Sequence, residues 1–355
     1  MRKHYIDNIR WMTVLLVVVF HVFYIFNGVA TEGVIGPFQP VQKQDAILYL
    51  LYPWFMVLLF VVSGVSAEAA LRKYSPTDFL RARTRRLLVP STLGLLVFYW
   101  IGGYLNMQIS GAYEELAPNV PAPILYLVMA VSGTGVLWYI QVLWIFSLLL
   151  LLVRRLDKGR LRATCAQWHP LLLLLFVVPL WASAQVLNTP VIVCYRFGIY
   201  GFAFFLGYFI FSQEALIERL SRTWAPLSLA AVVAGIAYTT ARFGDNFAIP
   251  PAINSPLAML FCWLAVLAAF ATSKHFLDFT NASFQWFGQR SFGLYVFHYM
   301  TLAAAALWIC DANDLGAVAS YSIAAVAAFV GGYGLNALIS RIPVLRTLVL
   351  GMKKG

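Results

Sequence analysis

The chain has 355 residues, of which 61% are hydrophobic and only 11% charged, against roughly a quarter charged in ordinary soluble domains. That composition excludes a water-soluble globular domain and a disordered chain, and leaves an integral membrane protein. The net charge of +11 follows membrane topology, as shown below, so it calls for no nucleic-acid partner. The four cysteines, Cys165, Cys194, Cys262 and Cys310, lack metal-ligand spacing and predict neither a disulfide framework nor a metal site.

About 20 apolar residues in a helix cross a hydrocarbon core roughly 30 Å thick. Ten such runs occur, near 9–28, 46–67, 87–106, 136–153, 170–187, 195–212, 225–242, 255–272, 290–309 and 318–338. The stretch 121–132 is short and flanked by prolines, and reads as interfacial. The sequence therefore predicts an all-α polytopic membrane protein of about ten transmembrane helices, with one integral-membrane domain over 1–355.

The first run, "IRWMTVLLVVVFHVFYIFNGV", exceeds a signal-peptide core, has no A-x-A site behind it, and is expected to stay in the mature protein. It carries Arg10 and His21. Eleven steps of about 100° place both on one helix face within about 20°, roughly 16 Å apart along the axis. An ionisable group at that depth is costly and points to function. The bland alternative is a neutral His21 bonded to a neighbouring carbonyl, with Arg10 snorkelling to the headgroups. Asp7 stands one turn before Arg10, in position to pair with it.

After the second run comes the basic segment 72–86, "RKYSPTDFLRARTRRLLVP", with Arg72, Lys73, Arg81, Arg83, Arg85 and Arg86 against one acid, Asp78. Positive-inside topology and anionic lipid explain such a cluster; binding of a phosphate-bearing ligand by arginine forks explains it equally. Outside the spans, 28–45 and 107–135 form the longest outer loops, and the second is placed to cover a site as a lid. In the ninth run, Tyr295 stands one turn before His298, on the same face, either as a polar latch between helices or lining a passage. Trp138, Tyr139 and Trp144 read as interface belt and packing.

Alternating the loops from the first run puts 22 of the 25 Lys and Arg on one side, leaving Lys43, Arg196 and Arg242 on the other. Both termini are therefore expected to be cytoplasmic.

Arg10, ten residues, then His21 in the first helix resembles the hallmark of the acyltransferase-3 family of polytopic membrane acyltransferases, in its form without a fused SGNH domain. Further motifs agree: "FMVLLFVVSGVSAEAALRK" ending its apolar run in Ser63-Gly64; R-x-x-R at Arg83 and Arg86 before "LLVP"; "LWYIQVLW"; "GFAFFLGYFIF"; and "FGQRSFGLYVFHYM" with its Ser-x-x-x-Tyr-x-x-His. The likeness runs from about residue 5 to 310. Ala82 stands where relatives often carry another arginine; Arg81 and Arg85 flank the gap.

The resemblance implies O-acyl transfer, most commonly acetyl, from acyl-coenzyme A (acetyl-CoA) to a hydroxyl of an extracytoplasmic or lipid-linked glycan, in a bacterial inner membrane. It implies His21 and Arg10 as catalytic, Arg83, Arg86, Arg81 and Arg85 as donor-binding, and Ser63, Tyr295 and His298 as lining the substrate passage. Besides the glycan, the partners are membrane lipids. The chemistry fits, because a neutral buried imidazole serves as base or as nucleophile in acyl transfer. The competing reading is a proton-coupled secondary transporter or flippase using Arg10 and His21, for which inverted repeats are the expected mark and are not visible.

Overall fold

The computed structural model describes residues 3–30, 33–165, 168–189, 194–311 and 315–352. It is all-helical, 78% helix with no strand among the described residues. Among the described residues seven helical stretches are long and apolar enough to cross a membrane: His4–Tyr24, Lys43–Lys73, Gly135–Asp157, Trp224–Arg242, Pro256–Phe276, Ala282–Asp311 and Ala317–Arg341. Phe197–Phe211 with Glu214–Ser221, bent by 94°, makes an eighth if the pair counts as one span.

The other two expected spans, 87–106 and 170–187, meet shorter helices, Leu95–Ile109 and Pro170–Ala184. The first run is interrupted at 89–92, around Pro90, which has no N–H to donate and clashes with the preceding turn. The second begins as a 3-10 helix, Pro170–Phe176, whose rise of about 2.0 Å per residue covers more length with fewer residues. The expected outer loop 107–135 is largely helical, with Ala112–Leu116 and Ala122–Ser132.

The chain falls into two compact units interleaved in sequence. The first comprises Met1–Thr13, Leu48–Leu80 and Ile145–Gly288. At its centre Phe60 stacks on Tyr200 with ring centres 4.7 Å apart. Nearby the Phe55–Lys73 and Phe197–Leu206 helices touch backbone to backbone. A Cβ on Gly64 would stand 2.0 Å from the Phe204 carbonyl oxygen, and one on Gly207 2.0 Å from that of Val61. Small residues at such a seam let membrane helices gain close packing where lipid offers no hydrophobic drive.

Trp224–Arg242 packs on Pro256–Phe276, with Ser228 and Thr272 hydroxyls 3.1 Å apart, while Leu229, Val232, Val233 and Ile236 on the former are exposed. An apolar face of that size suits acyl chains and not water. Ion pairs gather toward one end of these helices: Lys274 bonds Glu214 at 2.7 Å and Asp278 at 2.6 Å, and buried Glu68 bridges Arg72 and Arg162. Asp278 lies beyond the spans; burial would raise its pKa, and the bonds from Lys274 and the Tyr5 amide hold it below the usual carboxylate value.

The second unit comprises Val14–Ile47, Arg81–Trp144 and Gln289–Gly355. Its first loop is tied back onto the helix it leaves. Buried Gln42 donates to the Phe26 carbonyl at 2.7 Å and to Asp45 at 3.2 Å, and Asp45 accepts from the Gly28 amide at 3.1 Å. Trp100–Ile109 and Ala122–Ser132 meet at glycines, since a Cβ on Gly103 would lie 1.7 Å from the Met129 oxygen. Gln141 donates to the Ser91 carbonyl at 3.0 Å and Trp144 to the Thr84 hydroxyl at 3.1 Å, fixing the start of the Trp138–Asp157 helix to the end of the basic segment and the chain just after it.

Candidate active site

His21 lies in the apolar part of the His4–Tyr24 helix, and its Nδ1 is 2.8 Å from the Val17 carbonyl oxygen one turn back. That nitrogen is also 3.2 Å from Nε2 of His298, which the Ala282–Asp311 helix carries into the interior at 0% exposure. His298 Nδ1 faces two carbonyl oxygens, of Tyr295 at 2.8 Å and Leu294 at 3.2 Å.

These contacts assign the protons. Two carbonyls accept and cannot donate, so His298 Nδ1 carries a hydrogen, and neutral His298 presents the lone pair of Nε2. His21 Nδ1–H then donates to the Val17 oxygen and to His298 Nε2. The remaining nitrogen, His21 Nε2, keeps its lone pair and has no hydrogen-bond partner among the described residues. A base oriented through one ring nitrogen and open at the other is the arrangement general-base catalysis needs.

Aromatic rings hold the imidazole on its flanks: Phe20 and Tyr299 lie with ring centres 5.2 Å away, both edge-on. Tyr299 also lines a small cavity, together with Tyr99, Gly102, Asn106, Gly135 and Val296. Tyr295 anchors the helix behind the pair. Its hydroxyl donates to the Val136 carbonyl, its ring meets Tyr139 edge-on at 5.7 Å, and its own carbonyl receives the His298 Nδ1 proton.

His21, His298 and Tyr295 are thus brought together in the second unit, although 277 positions separate the two histidines. Arg10 and Ser63 belong to the first unit. Arg10 bonds Asp7 at 3.1 Å and the Ser66 hydroxyl at 2.6 Å, so its fork ties the first helix to Phe55–Lys73. Ser63 is buried at 8% exposure beside the Gly64 seam. Of the donor-binding candidates, Arg81 and Arg83 end the Pro76–Arg83 helix. Arg85 and Arg86 lie in the π-helical turn Thr84–Leu88, a widened winding frequent at functional sites. No cluster of three or more His, Cys, Asp or Glu able to hold a metal occurs among the described residues.

Sequence reading passed over Phe20, Tyr299 and the Val17 carbonyl. The first two look like ordinary apolar helix positions, and a backbone carbonyl leaves no mark in a sequence; only the i−4 spacing to a histidine signals it.

Comparison with known proteins places nearly the whole chain. A family model described as an acyltransferase domain matches residues 3–337. Glucans biosynthesis protein C of Shigella boydii serotype 4 (strain Sb227) is 21% identical over 316 residues, 84% of this chain and 81% of that protein. The protein of the same name from Salmonella typhi is 22% identical over 317 residues, 84% of this chain and 82% of that one. No solved structure matches the chain. With nearly its whole length matched by that family model, the chain belongs to the acyltransferase-3 family of membrane acyltransferases.

Proposed function

We propose that the protein moves an acyl group, in the first instance acetyl, from cytosolic acyl-coenzyme A to a hydroxyl of an extracytoplasmic or lipid-linked glycan in a bacterial inner membrane. The observation that carries this reading is the open Nε2 of His21, oriented through Nδ1 by Val17 and His298. The glycan acceptor draws support from the relatives, which are named for glucan biosynthesis.

In the proposed reaction His21 Nε2 takes the proton of the acceptor hydroxyl as its oxygen attacks the thioester carbonyl carbon. The positive charge that develops on His21 is met by the Nε2 lone pair of His298. The carbon–sulfur bond then breaks, and the departing thiolate takes the proton back from His21 Nε2, giving a glycan ester and the free thiol. Arg81, Arg83, Arg85 and Arg86 are proposed to hold the donor's phosphates, which suits a cytoplasmic position for both termini. Arg10 is proposed to steady the first helix and engage substrate through its fork. Ser63 is proposed to line the passage, and 107–135 to cover it from outside.

The test is transfer of labelled acetyl from acetyl-CoA in proteoliposomes, with mass spectrometry of envelope glycans from cells with and without the gene. His21→Ala, a change that an apolar helix accepts, is expected to abolish transfer with expression retained. Near-normal transfer by purified His21→Ala protein overturns the assignment.

A further inference from the structure

The helix Pro343–Leu350 lies beyond the stretch the family model matches, yet it is built onto the basic segment. It ends at Gly351 in the left-handed conformation, φ +62°, with the Gly351 amide returning to the Thr347 carbonyl at 3.1 Å and the Met352 amide to that of Arg346 at 3.2 Å. A Cβ on Gly351 would lie 2.4 Å from the Arg85 carbonyl oxygen and 2.7 Å from the Arg86 Cα. The same helix contributes the Val349 carbonyl, which accepts from Tyr99 at 3.1 Å.

Arg346 precedes Val349 and Leu350 by three and four residues, so it shares their face. Both are buried, at 0% and 3% exposure. Its Cα stands about 7.5 Å along the helix axis from Gly351, within an arginine's reach of the segment that Gly351 touches.

Arg85 and Arg346 have one property in common. The Nε of each is buried and meets no hydrogen-bond acceptor, and neither Arg85, Arg86 nor Arg346 pairs with a carboxylate among the described residues. A buried guanidinium N–H without an acceptor is costly. Two such donors on adjoining elements suit an anionic acceptor, and the fork of arginine fits a phosphate.

We propose that Arg346 and Arg85 together form a phosphate-binding site, with the C-terminal helix completing a cradle begun by the basic segment. Its occupant is a phosphate of the acyl donor, an identification that rests on the function proposed above; a lipid headgroup offers the same chemistry.

The test uses the full chain in nanodiscs of phosphatidylcholine, alone or mixed with phosphatidylglycerol, and titrates coenzyme A calorimetrically. In phosphatidylcholine, Arg346→Ala is expected to weaken coenzyme A binding about tenfold or more. Arg346→Lys should keep part of the affinity, since charge remains and the fork is lost. Arg85→Ala with Arg346→Ala should cost less than the product of the single losses, because both contact one group. An unchanged melting temperature separates these effects from misfolding.

If coenzyme A affinity stays put while co-purified phosphatidylglycerol is lost on Arg346→Ala, the site stands with a lipid phosphate in it. If neither ligand responds to Arg346→Ala, the proposal is overturned. Transfer activity with a donor that still depends on Arg83 and Arg86 would in that case leave the proposed function intact.

Discussion

Replacing His298 tests the pairing of the two imidazoles directly. Its Nε2 accepts from His21 at 3.2 Å, and its own Nδ1–H is spent on carbonyls of its own helix. His298→Phe therefore removes the acceptor without leaving a distant group unpaired, and fills the space with a ring. In the ground state the lost bond joins two neutral groups. In the transition state of the proposed reaction His21 is positively charged, and a hydrogen bond to a charged group contributes about 1.5–3 kcal/mol. At 1.36 kcal/mol per factor of ten, kcat should fall about 10- to 150-fold. KM for donor and acceptor should hardly move, because His298 is fully buried behind His21. His298→Gln, whose side-chain oxygen can accept the same proton, should recover part of kcat. The assay is initial-rate transfer of labelled acetyl at varied donor and acceptor concentrations. If His298→Phe keeps kcat within about twofold of wild type, or if His298→Gln is no better than His298→Phe, His298 does not position His21, and the 3.2 Å contact is mere packing.

Three further outcomes are expected. Arg10 spans Asp7 and Ser66 with two nitrogens, so Arg10→Lys should retain part of the transfer activity and Arg10→Ala none, with expression unchanged in both; full activity of Arg10→Lys in the same assay would reduce Arg10 to a headgroup anchor. Arg83→Ala with Arg86→Ala should weaken donor binding by about 1.5–3 kcal/mol for each bond lost while leaving acceptor KM alone, and equal donor affinities by calorimetry would return these arginines to topology. Gly64→Val would drive its Cβ against the Phe204 oxygen and the Tyr208 amide, 2.0 and 2.8 Å away, and should destabilise by at least about 1–3 kcal/mol, read as a lowered unfolding temperature in detergent.

Much of the membrane architecture is legible in the sequence, because lipid imposes length and apolarity on each span and these are local properties. The first helix and its two polar residues follow from spacing alone. The runs at 87–106 and 170–187 are apolar enough to read as spans, but Pro90 divides one and the other opens with 3-10 winding that needs fewer residues for a given length, effects a hydropathy window averages away. Ser63-Gly64 reads as a motif, whereas the structure gives Gly64 a packing reason that depends on where Phe204 and Gly207 arrive. The His21–His298 contact lay beyond sequence reading altogether: each histidine is visible as a polar residue in an apolar helix, and nothing local pairs them. Tyr295 was visible as a neighbour of His298 on its face, while its hydroxyl's partner, a backbone oxygen of Val136, carries no residue identity.

The bond from His21 to Val17 has a consequence for synthesis. With 277 positions between the histidines and elongation at about 5–20 residues per second, the second imidazole leaves the ribosome roughly 15–55 s after the first. Through that interval the first helix has to reside in the bilayer without it. Because His21 can spend its N–H on a carbonyl one turn back in its own helix, it needs no distant partner for that proton while the rest of the chain is still being made. The nascent chain thus carries a self-contained imidazole that gains its second acceptor only when the Ala282–Asp311 helix has inserted.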